Sequence, residues 1–404
     1  MENLKQYLHQ KLLDKLDMER ETSDQELTRL IDDMLTQESR NCYLPLWRKN
    51  QLRKELFDSL RGLDVLTEIL EEEGITEIMV NGPDHIFIEK DGRVEPYEKS
   101  FSTKERLEDV VQQIAARVNR RVNEVTPMVD ARLEDGSRVN VVLEPVALGG
   151  PIVTIRRFSG MPIQMKDLVE WGTITEDAAH FLKILVQSKC NLFVSGGTGA
   201  GKTTFLGALA EYIFPGERVI TIEDSAELRL INQPNLVRLE ARTANLEGKN
   251  EITIRDLIRN SLRMRPDQIL LGEIRSQEAL DMLMAMNTGH NGSFSTGHAN
   301  SCRDMISRIE TMVLMGMELP LPAIRGQIAS ALDFMIHLGR LRDGSRRVLA
   351  IEEVTGMAEG EVGLNLIYEF MEEGEENGKI RGRLIRTSNR VECSDKFRAA
   401  GYGL

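Results

Sequence analysis

The stretch Val194-Ser195-Gly196-Gly197-Thr198-Gly199-Ala200-Gly201-Lys202-Thr203-Thr204 carries the clearest chemistry in the chain. From Gly196 to Thr203 it fits G-x-x-x-x-G-K-[ST], the spacing of a phosphate-binding loop. Glycines let a backbone close around oxygen atoms without side-chain clash. Asn191-Leu192-Phe193-Val194 reads as a short buried strand, and Leu206, Leu209, Ala210 and Ile213 then fall at helical spacing. The loop therefore enters a helix N-terminus, where unpaired N–H groups and the helix dipole favour a polyphosphate. The expected contacts are Gly196, Gly197, Thr198, Gly199, Ala200, Gly201, Lys202, Thr203 and Thr204. Lys202 should reach the outer phosphates and the Thr203 hydroxyl should hold Mg²⁺. The plain alternative, a glycine-rich turn that binds nothing, is disfavoured because motif and context agree.

A phosphate loop does not hydrolyse anything by itself. Something must position water, and something must neutralise charge on the transferring group. Val219-Ile220-Thr221-Ile222 ends in Glu223-Asp224, with Glu227 shortly after. Carboxylates at such a strand end can hold metal-bound water; for Asp224 a helix N-cap is an equal reading. The run from Pro266 to Arg275 reads as a buried strand that delivers Glu273 beside the loop, where an anion would polarise the attacking water. Many nucleotidases of this class carry Asp one place earlier. Here that place is Gly272, which leaves Thr203 and water to carry Mg²⁺. His290, His298 and Cys302 invite a metal reading, yet no second thiol or nearby carboxylate completes a zinc site. A strand end turning Thr296 and His298 toward a γ-phosphate explains that cluster better, and His290 reads equally well as structural. Upstream lie Arg132, Arg138, Arg156 and Arg157. Guanidinium forks suit a phosphoryl group, and Arg138 and Arg156 fall at a turn and a strand end. A surface arginine is the plain alternative for any one of them.

These groups need a scaffold. Residues 1–60 read as charged amphipathic helices, with Leu4, Leu8, Leu12 and Leu16 recurring and a second piece over 46–60. The stretch between them, around Glu19 to Glu38, reads as mobile. Residues 61–157 read as a small α+β domain: Gly62 and Gly74 bracket a helix, hairpins turn at Asp91-Gly92 and Asp135-Gly136, and Ser102-x-x-Glu105 is a capping box. Residues 158–166 read as a linker. From 167 to 404 strands and helices alternate, the mark of a mostly parallel sheet, with strands expected at 191–195, 218–223, 268–272 and 293–296. Hairpin additions close the chain, and Glu372 to Glu376 reads as a solvated acidic loop. The fold class is thus α/β.

The chain of 404 residues has a net charge of −13, which argues against a protein that coats nucleic acid. Cys42, Cys190, Cys302 and Cys393 are scattered, so neither a disulfide scaffold nor a zinc ribbon is expected. No apolar run approaches the ~20 residues of a membrane span, and no signal peptide is visible.

The phosphate loop, then Thr221-Ile222-Glu223-Asp224, then Gly272-Glu273-Ile274-Arg275, then Ser295-Thr296-Gly297-His298-Ala299-Asn300, stand behind a small α+β domain. This order resembles the secretion ATPases of type II and type IV systems over residues 62–355. Ile75-Thr76-Glu77-Ile78-Met79-Val80-Asn81-Gly82, Asp135-Gly136-Ser137-Arg138-Val139-Asn140, Ile155-Arg156-Arg157-Phe158 and Ile328-Ala329-Ser330-Ala331-Leu332-Asp333 are similar to the tight-adherence (Tad, CpaF-type) pilus ATPases. The four-cysteine zinc insert of some pilus-assembly ATPases is absent. Ala323-Ile324-Arg325-Gly326-Gln327 departs from the retraction signature after three residues. The resemblance implies a RecA-like P-loop domain behind a PAS-like domain, and a hexameric ring with ATP and Mg²⁺ bound between domains. It implies a cytoplasmic protein at the inner face of the cytoplasmic membrane, pushing on an inner-membrane platform protein without stable nucleic-acid binding. It also implies roles: Glu273 as the catalytic glutamate, Glu223 assisting, His298 on the γ-phosphate, and Arg138 and Arg156 as domain-closing arginines. The competing classes are a type IV secretion ring for protein or DNA export, a nucleic-acid motor with a RecA-like core, and a regulatory nucleotide-binding module without turnover.

Overall fold

The computed structural model describes residues 23–41, 43–90, 92–118, 120–133, 135–157, 162–242 and 250–402, with Ala244 and, near the N-terminus, Leu4, Tyr7, Leu8, Lys11, Leu12 and Lys15. Two compact units divide it, Met1–Ser159 and Gly160–Leu404.

In the first unit, α1 (Asp24–Asn41) packs Leu27, Ile31, Met34 and Leu35 against Leu52 and Leu56 of α2 (Leu46–Arg61), with Leu8 and Leu12 joining the cluster. The stretch expected to be mobile is therefore helix from Asp24 onward; residues 19–22 lie outside the described residues. Its charges occupy the outer face of an amphipathic helix, which a count of charges alone reads as disorder. After α3 (Val65–Glu71) comes an antiparallel sheet of order β3-β2-β1-β6-β5-β4. Its strands are β1 (Ile75–Asn81), β2 (Ile86–Lys90), β3 (Arg93–Pro96), β4 (Met128–Arg132), β5 (Arg138–Val142) and β6 (Ile152–Arg156). Ile78, Val80, Val139, Val141, Val153 and Ile155 share a core with Leu107, Val110, Val111 and Ile114 of α4 (Lys104–Arg117). The cap of α4 is Thr103, whose hydroxyl accepts from the Arg106 N–H at 3.2 Å, one residue beyond the expected Ser102.

Side chains alternate across a strand, so the other sheet face carries the complementary set. There Arg132 stands opposite Arg138, Arg138 opposite Arg156, and Arg156 opposite Glu77. Three guanidinium-bearing residues thus run side by side across β4, β5 and β6.

In the second unit, α5 (Met165–Glu170) starts inside the stretch expected as a linker, whose residues 158–161 lie outside the described residues. α6 (Glu176–Gln187) leads into β7 (Leu192–Gly196), the phosphate loop and α7 (Lys202–Ala210). β8 (Val219–Glu223), β9 (Leu236–Glu240), α8 (Ile254–Ser261), β10 (Gln268–Leu271), α9 (Glu278–Asn287), β11 (Phe294–Gly297), α10 (Cys302–Gly316) and α11 (Leu321–Ala331) follow. The chain continues with β12 (Phe334–Arg340), β13 (Arg346–Ala358), β14 (Glu361–Glu376), β15 (Lys379–Arg386) and α12 (Ser394–Ala399). The four expected strands all form, with ends displaced by one residue at most.

The nine strands order as β15-β14-β13-β12-β7-β11-β10-β8-β9. β12 to β9 pair in parallel, and β12 to β15 pair antiparallel. β7, β8, β10 and β11 are buried along their whole length, as parallel strands covered on both faces must be. Leu192, Val194 and Leu270 point into one core with α6 and α7, while Phe193, Ile220, Ile222, Ile269 and Leu271 point into the other with α8 to α11. This is the α/β, RecA-like architecture.

One expectation fails here, and one of two equal readings drops out. Glu372 to Glu376 is not a loop but the end of β14, where Glu372 meets Arg342 at 2.6 Å and Glu373 meets Arg383 at 2.9 Å. Glu373 and Arg383 sit on neighbouring strands, where opposite charges stabilise the pairing, and Arg342 reaches Glu372 from the turn 341–345. Asp224 caps no helix, since none follows β8 directly.

Candidate active site

In an open parallel sheet, ligands meet the carboxyl ends of the strands. β7 ends in the phosphate loop, β8 in Glu223, β10 just before Glu273 and β11 just before His298. The expected residues of the second unit therefore collect on one edge.

The loop is shaped by its glycines. A Cβ on Gly196 would lie 2.5 Å from the Leu338 carbonyl oxygen, so only glycine lets the end of β7 lie against β12. Gly199 and Gly201 have φ of +71° and +89°, the left-handed region that favours glycine. On the open side, a Cβ at Gly197 or Gly199 would meet nothing within 4 Å. A bare backbone cradle opening onto a helix N-terminus fits a polyphosphate.

Lys202 is buried. Its ammonium donates to the carbonyls of Gly196 (3.2 Å) and Gly197 (3.1 Å) and lies 3.0 Å from His298 Nδ1. Burial first of all lowers its pKa, Glu273 opposing and Arg275 adding to the fall. An ammonium has no acceptor site, so Nδ1 must accept and the imidazole proton is assigned to Nε2. That nitrogen lies 2.8 Å from Glu273 Oε1, a close contact without hydrogen-bond alignment, since Oε1 is buried with no hydrogen-bond partner among the described residues. Burial, and then the charges of Lys202, Arg275 and Arg308, hold His298 below its ordinary pKa against the pull of Glu273, which agrees with a neutral ring.

The other oxygen of Glu273 accepts from Arg275 Nη2 at 3.0 Å, and Arg275 Nη1 stands 3.7 Å from Asp224. A chain of alternating charge thus runs Lys202–His298–Glu273–Arg275–Asp224. The Thr296 hydroxyl does not face the loop: it is buried and donates to the Gly272 carbonyl at 2.6 Å, fixing the backbone before Glu273. His290 places Nδ1 3.3 Å from the Ala285 carbonyl, the structural role allowed for it.

Glu223 is buried. Its Oε2 accepts from the N–H groups of Glu227 (2.8 Å) and Leu228 (2.9 Å). These bonds hold the segment after β8 in a loop, the physical reason Asp224 starts no helix. Oε1 of Glu223 is buried with no hydrogen-bond partner among the described residues. Burial raises this carboxyl's pKa, with the two backbone N–H groups opposing. A Cβ on Gly272 would lie 2.9 Å from Glu223 Cγ. The side chain of Glu223 therefore fills the space that a residue larger than glycine would need at 272. Mg²⁺ takes hard oxygen ligands and keeps several waters. Thr203, with Glu223 and Glu273 acting through water, is the donor set that fits it.

Sequence reasoning missed three groups. Arg346, the first residue of β13, donates from Nε to the Gly199 carbonyl at 2.8 Å. Arg275 was quoted in a motif but given no part, yet it orients Glu273. Ser195 and His337 form a buried pair beneath the loop, Oγ to Nδ1 3.0 Å. Only the pairing of β12 with β7 brings Arg346 and His337 here, and no local signal encodes that pairing. Arg138 and Arg156 lie in the first unit, opposite one another in register.

A family model described as type II/IV secretion system protein matches residues 60–399. A putative conjugal transfer protein of Mycobacterium tuberculosis is 36% identical over 309 residues, which cover 75% of this chain and 87% of the relative. The type IV secretion system protein VirB11 of Brucella suis is 32% identical over 313 residues, 70% of this chain and 87% of that one. The X-ray structure of the Legionella pneumophila ATPase DotB aligns with a TM-score of 0.51 at 18% identity, covering 73% of this chain and 80% of that chain, a likeness of fold. No helix among the described residues is long and apolar enough to cross a membrane.

Proposed function

We propose, from the premise that this chain belongs to the type II/IV secretion system protein family, that it is the ATP-hydrolysing motor of such a system. The observation that carries the proposal is the chain Lys202–His298–Glu273 beside an open glycine cradle. ATP would lie on residues 196–204. Lys202 then gives up the Gly196 and Gly197 carbonyls for phosphate oxygens, better acceptors for an ammonium. Mg²⁺, held by Thr203 and by water on Glu223 and Glu273, would neutralise charge between the outer phosphates. With Lys202 withdrawn, Glu273 keeps Arg275 on one oxygen and turns the other to the attacking water as general base. His298 donates from Nε2 and senses the terminal phosphoryl. Arg138 and Arg156 are assigned to the same turnover on chemical grounds, since adjacent guanidinium groups suit a multiply charged anion.

Hydrolysis would drive motion in a hexameric ring, in the cytoplasm at the inner face of the cytoplasmic membrane, with an inner-membrane platform protein as partner. Within the family we read it as a Tad pilus assembly motor, on the residues around Asn81, Arg138 and Arg156 given above. The conjugal transfer and type IV secretion relatives favour a second reading, a ring motor for export of protein or DNA. Deleting the gene separates them: lost surface pili with intact export supports the first, the reverse supports the second.

A phosphate-release assay tests the shared core. Wild type should hydrolyse ATP, while Lys202→Ala should neither bind nor turn over nucleotide. Wild-type protein that binds no ADP, or Lys202→Ala with normal turnover, would sink the proposal.

A further inference from the structure

We infer that Arg346 is a positioning residue that latches the tip of the phosphate loop before nucleotide arrives. The inference rests on the phosphate-loop reading and adds a residue to it. β12 runs parallel to β7, so both end on the same edge of the sheet. The turn 341–345 then reverses the chain, and Arg346 opens β13 on that edge, opposite Arg340. Alternation along the strand sends Arg347 elsewhere, to the Trp171 carbonyl at 2.7 Å. Arg346 is left facing the loop. Its Nε donates to the Gly199 carbonyl at 2.8 Å, and a Cβ on Gly201 would lie 3.4 Å from its Cδ.

The plain alternative is an exposed arginine resting on the nearest carbonyl. Two observations favour the latch. The loop tip is bare on its open side, with nothing within 4 Å of a Cβ built at Gly197 or Gly199. Lys202 holds the Gly196 and Gly197 carbonyls, from which nucleotide binding must draw it away, and leaves Gly197 only the Ala200 N–H at 3.3 Å among the described residues. Arg346 holds the Gly199 carbonyl, not one of the two that Lys202 takes. A loop rich in glycine costs more entropy to order than any other. A bond that orders it beforehand removes part of that cost from binding. The effect therefore falls on affinity, not on the chemical step.

The test uses the full chain with ADP as probe, together with deuterium uptake of the peptide spanning 196–204 in nucleotide-free protein. Arg346→Ala should weaken ADP binding roughly tenfold and speed uptake across the loop, while kcat at saturating ATP stays within about twofold. Arg346→Lys keeps a charged donor and should recover most of the affinity. Arg340→Ala, the register neighbour, should change neither reading. Unchanged affinity and uptake in Arg346→Ala would overturn the latch. So would a fall in kcat at unchanged affinity, since the guanidinium would then act on the reacting phosphoryl. Should the Ala variant fail to fold, Arg346→Met, which keeps the length and has no donor, carries the same test. Wild-type protein that binds no ADP would defeat the phosphate-loop reading instead, and loop uptake would still decide the latch.

Discussion

The carboxyl edge of the nine-stranded sheet and the outer face of the six-stranded sheet both concentrate charge, in opposite ways. On the edge, cation and anion alternate from Lys202 to Asp224, with His298 between Lys202 and Glu273 at 3.0 and 2.8 Å. On the face, Arg132, Arg138 and Arg156 stand in one row, with Glu77 at 3.9 Å from Arg156. Like charges placed opposite one another destabilise a sheet; alternating ones do not. The edge is therefore at rest without ligand and must be opened by one. The face sets three guanidinium groups side by side, with carboxylates at its flanks, Glu77 beside Arg156 and Asp130 on the strand of Arg132; such a row suits an anion.

Removing the anion at the centre of the edge should do most damage. Glu273→Gln keeps the size of the side chain and should leave ATP affinity within about threefold while lowering turnover by about a hundredfold or more. Nucleotide binding by calorimetry beside phosphate release measures both. Normal turnover would mean that the alternating chain is structural only. The arginine row comes next. Arg138→Ala or Arg156→Ala should lower turnover by about ten- to a hundredfold, with affinity nearly unchanged. Equal loss of both, or of neither, would return the row to surface chemistry.

His298 gives a smaller effect with a signature in pH. Burial and neighbouring cations depress its pKa below the ordinary 6.5, so the ring is neutral at pH 7. Stability from a depressed histidine is present above that ordinary value and is lost as pH falls through the folded value. Protonation would also set a donor at Nδ1 against the Lys202 ammonium. Wild-type turnover should therefore fall on the acid side of 6.5, and His298→Gln, about tenfold slower at neutrality, should lack that acid limb. Parallel pH profiles for the two proteins would remove His298 from the chain.

These tests lean on what the sequence makes visible and what it does not. The phosphate loop is legible because its signal is local: glycines where φ must be positive, then Lys202 and Thr203 at a helix start. The ends of β8 and β10 are legible because buried parallel strands leave β-branched or apolar runs, here Val219–Ile222 and Ile269–Leu271, whereas β11, Phe294-Ser295-Thr296-Gly297, carries no such run. Everything that depends on which strand lies beside which is hidden. Arg346 sits far from Gly199 in sequence, and only the pairing of β12 with β7 joins them. Glu227 and Leu228 look free to begin a helix capped by Asp224, until the Glu223 carboxylate is seen to take their N–H groups. Glu372 to Glu376 looks like a loop because its basic partners, Arg342 of the turn 341–345 and Arg383 of β15, come from elsewhere in the chain.

Glu223 offers the smallest and sharpest break. Gly272 in place of a carboxylate reads from sequence as a missing metal ligand, yet the cross-strand neighbour fills that space, its Cγ 2.9 Å from where a Cβ would stand. Oε2 is committed to two N–H groups, and Oε1 is buried without a partner among the described residues. Glu223→Gln can keep the first pair of bonds, but it sets an N–H donor where Oε1 was. If Oε1 accepts from metal-bound water, the variant should need several-fold more Mg²⁺ for half-maximal turnover, with kcat falling about threefold. If Glu223 only shapes the loop, the Mg²⁺ dependence should not move. Thermal unfolding supplies an independent check. Burial raises this carboxyl above 4.5, so its stabilising protonated form is fully present below that value and is lost as pH rises through the folded pKa. The glutamine variant cannot ionise. Its Tm relative to wild type should therefore rise between pH 4.5 and neutrality, and a difference that stays flat would show that Glu223 is not held against its charge.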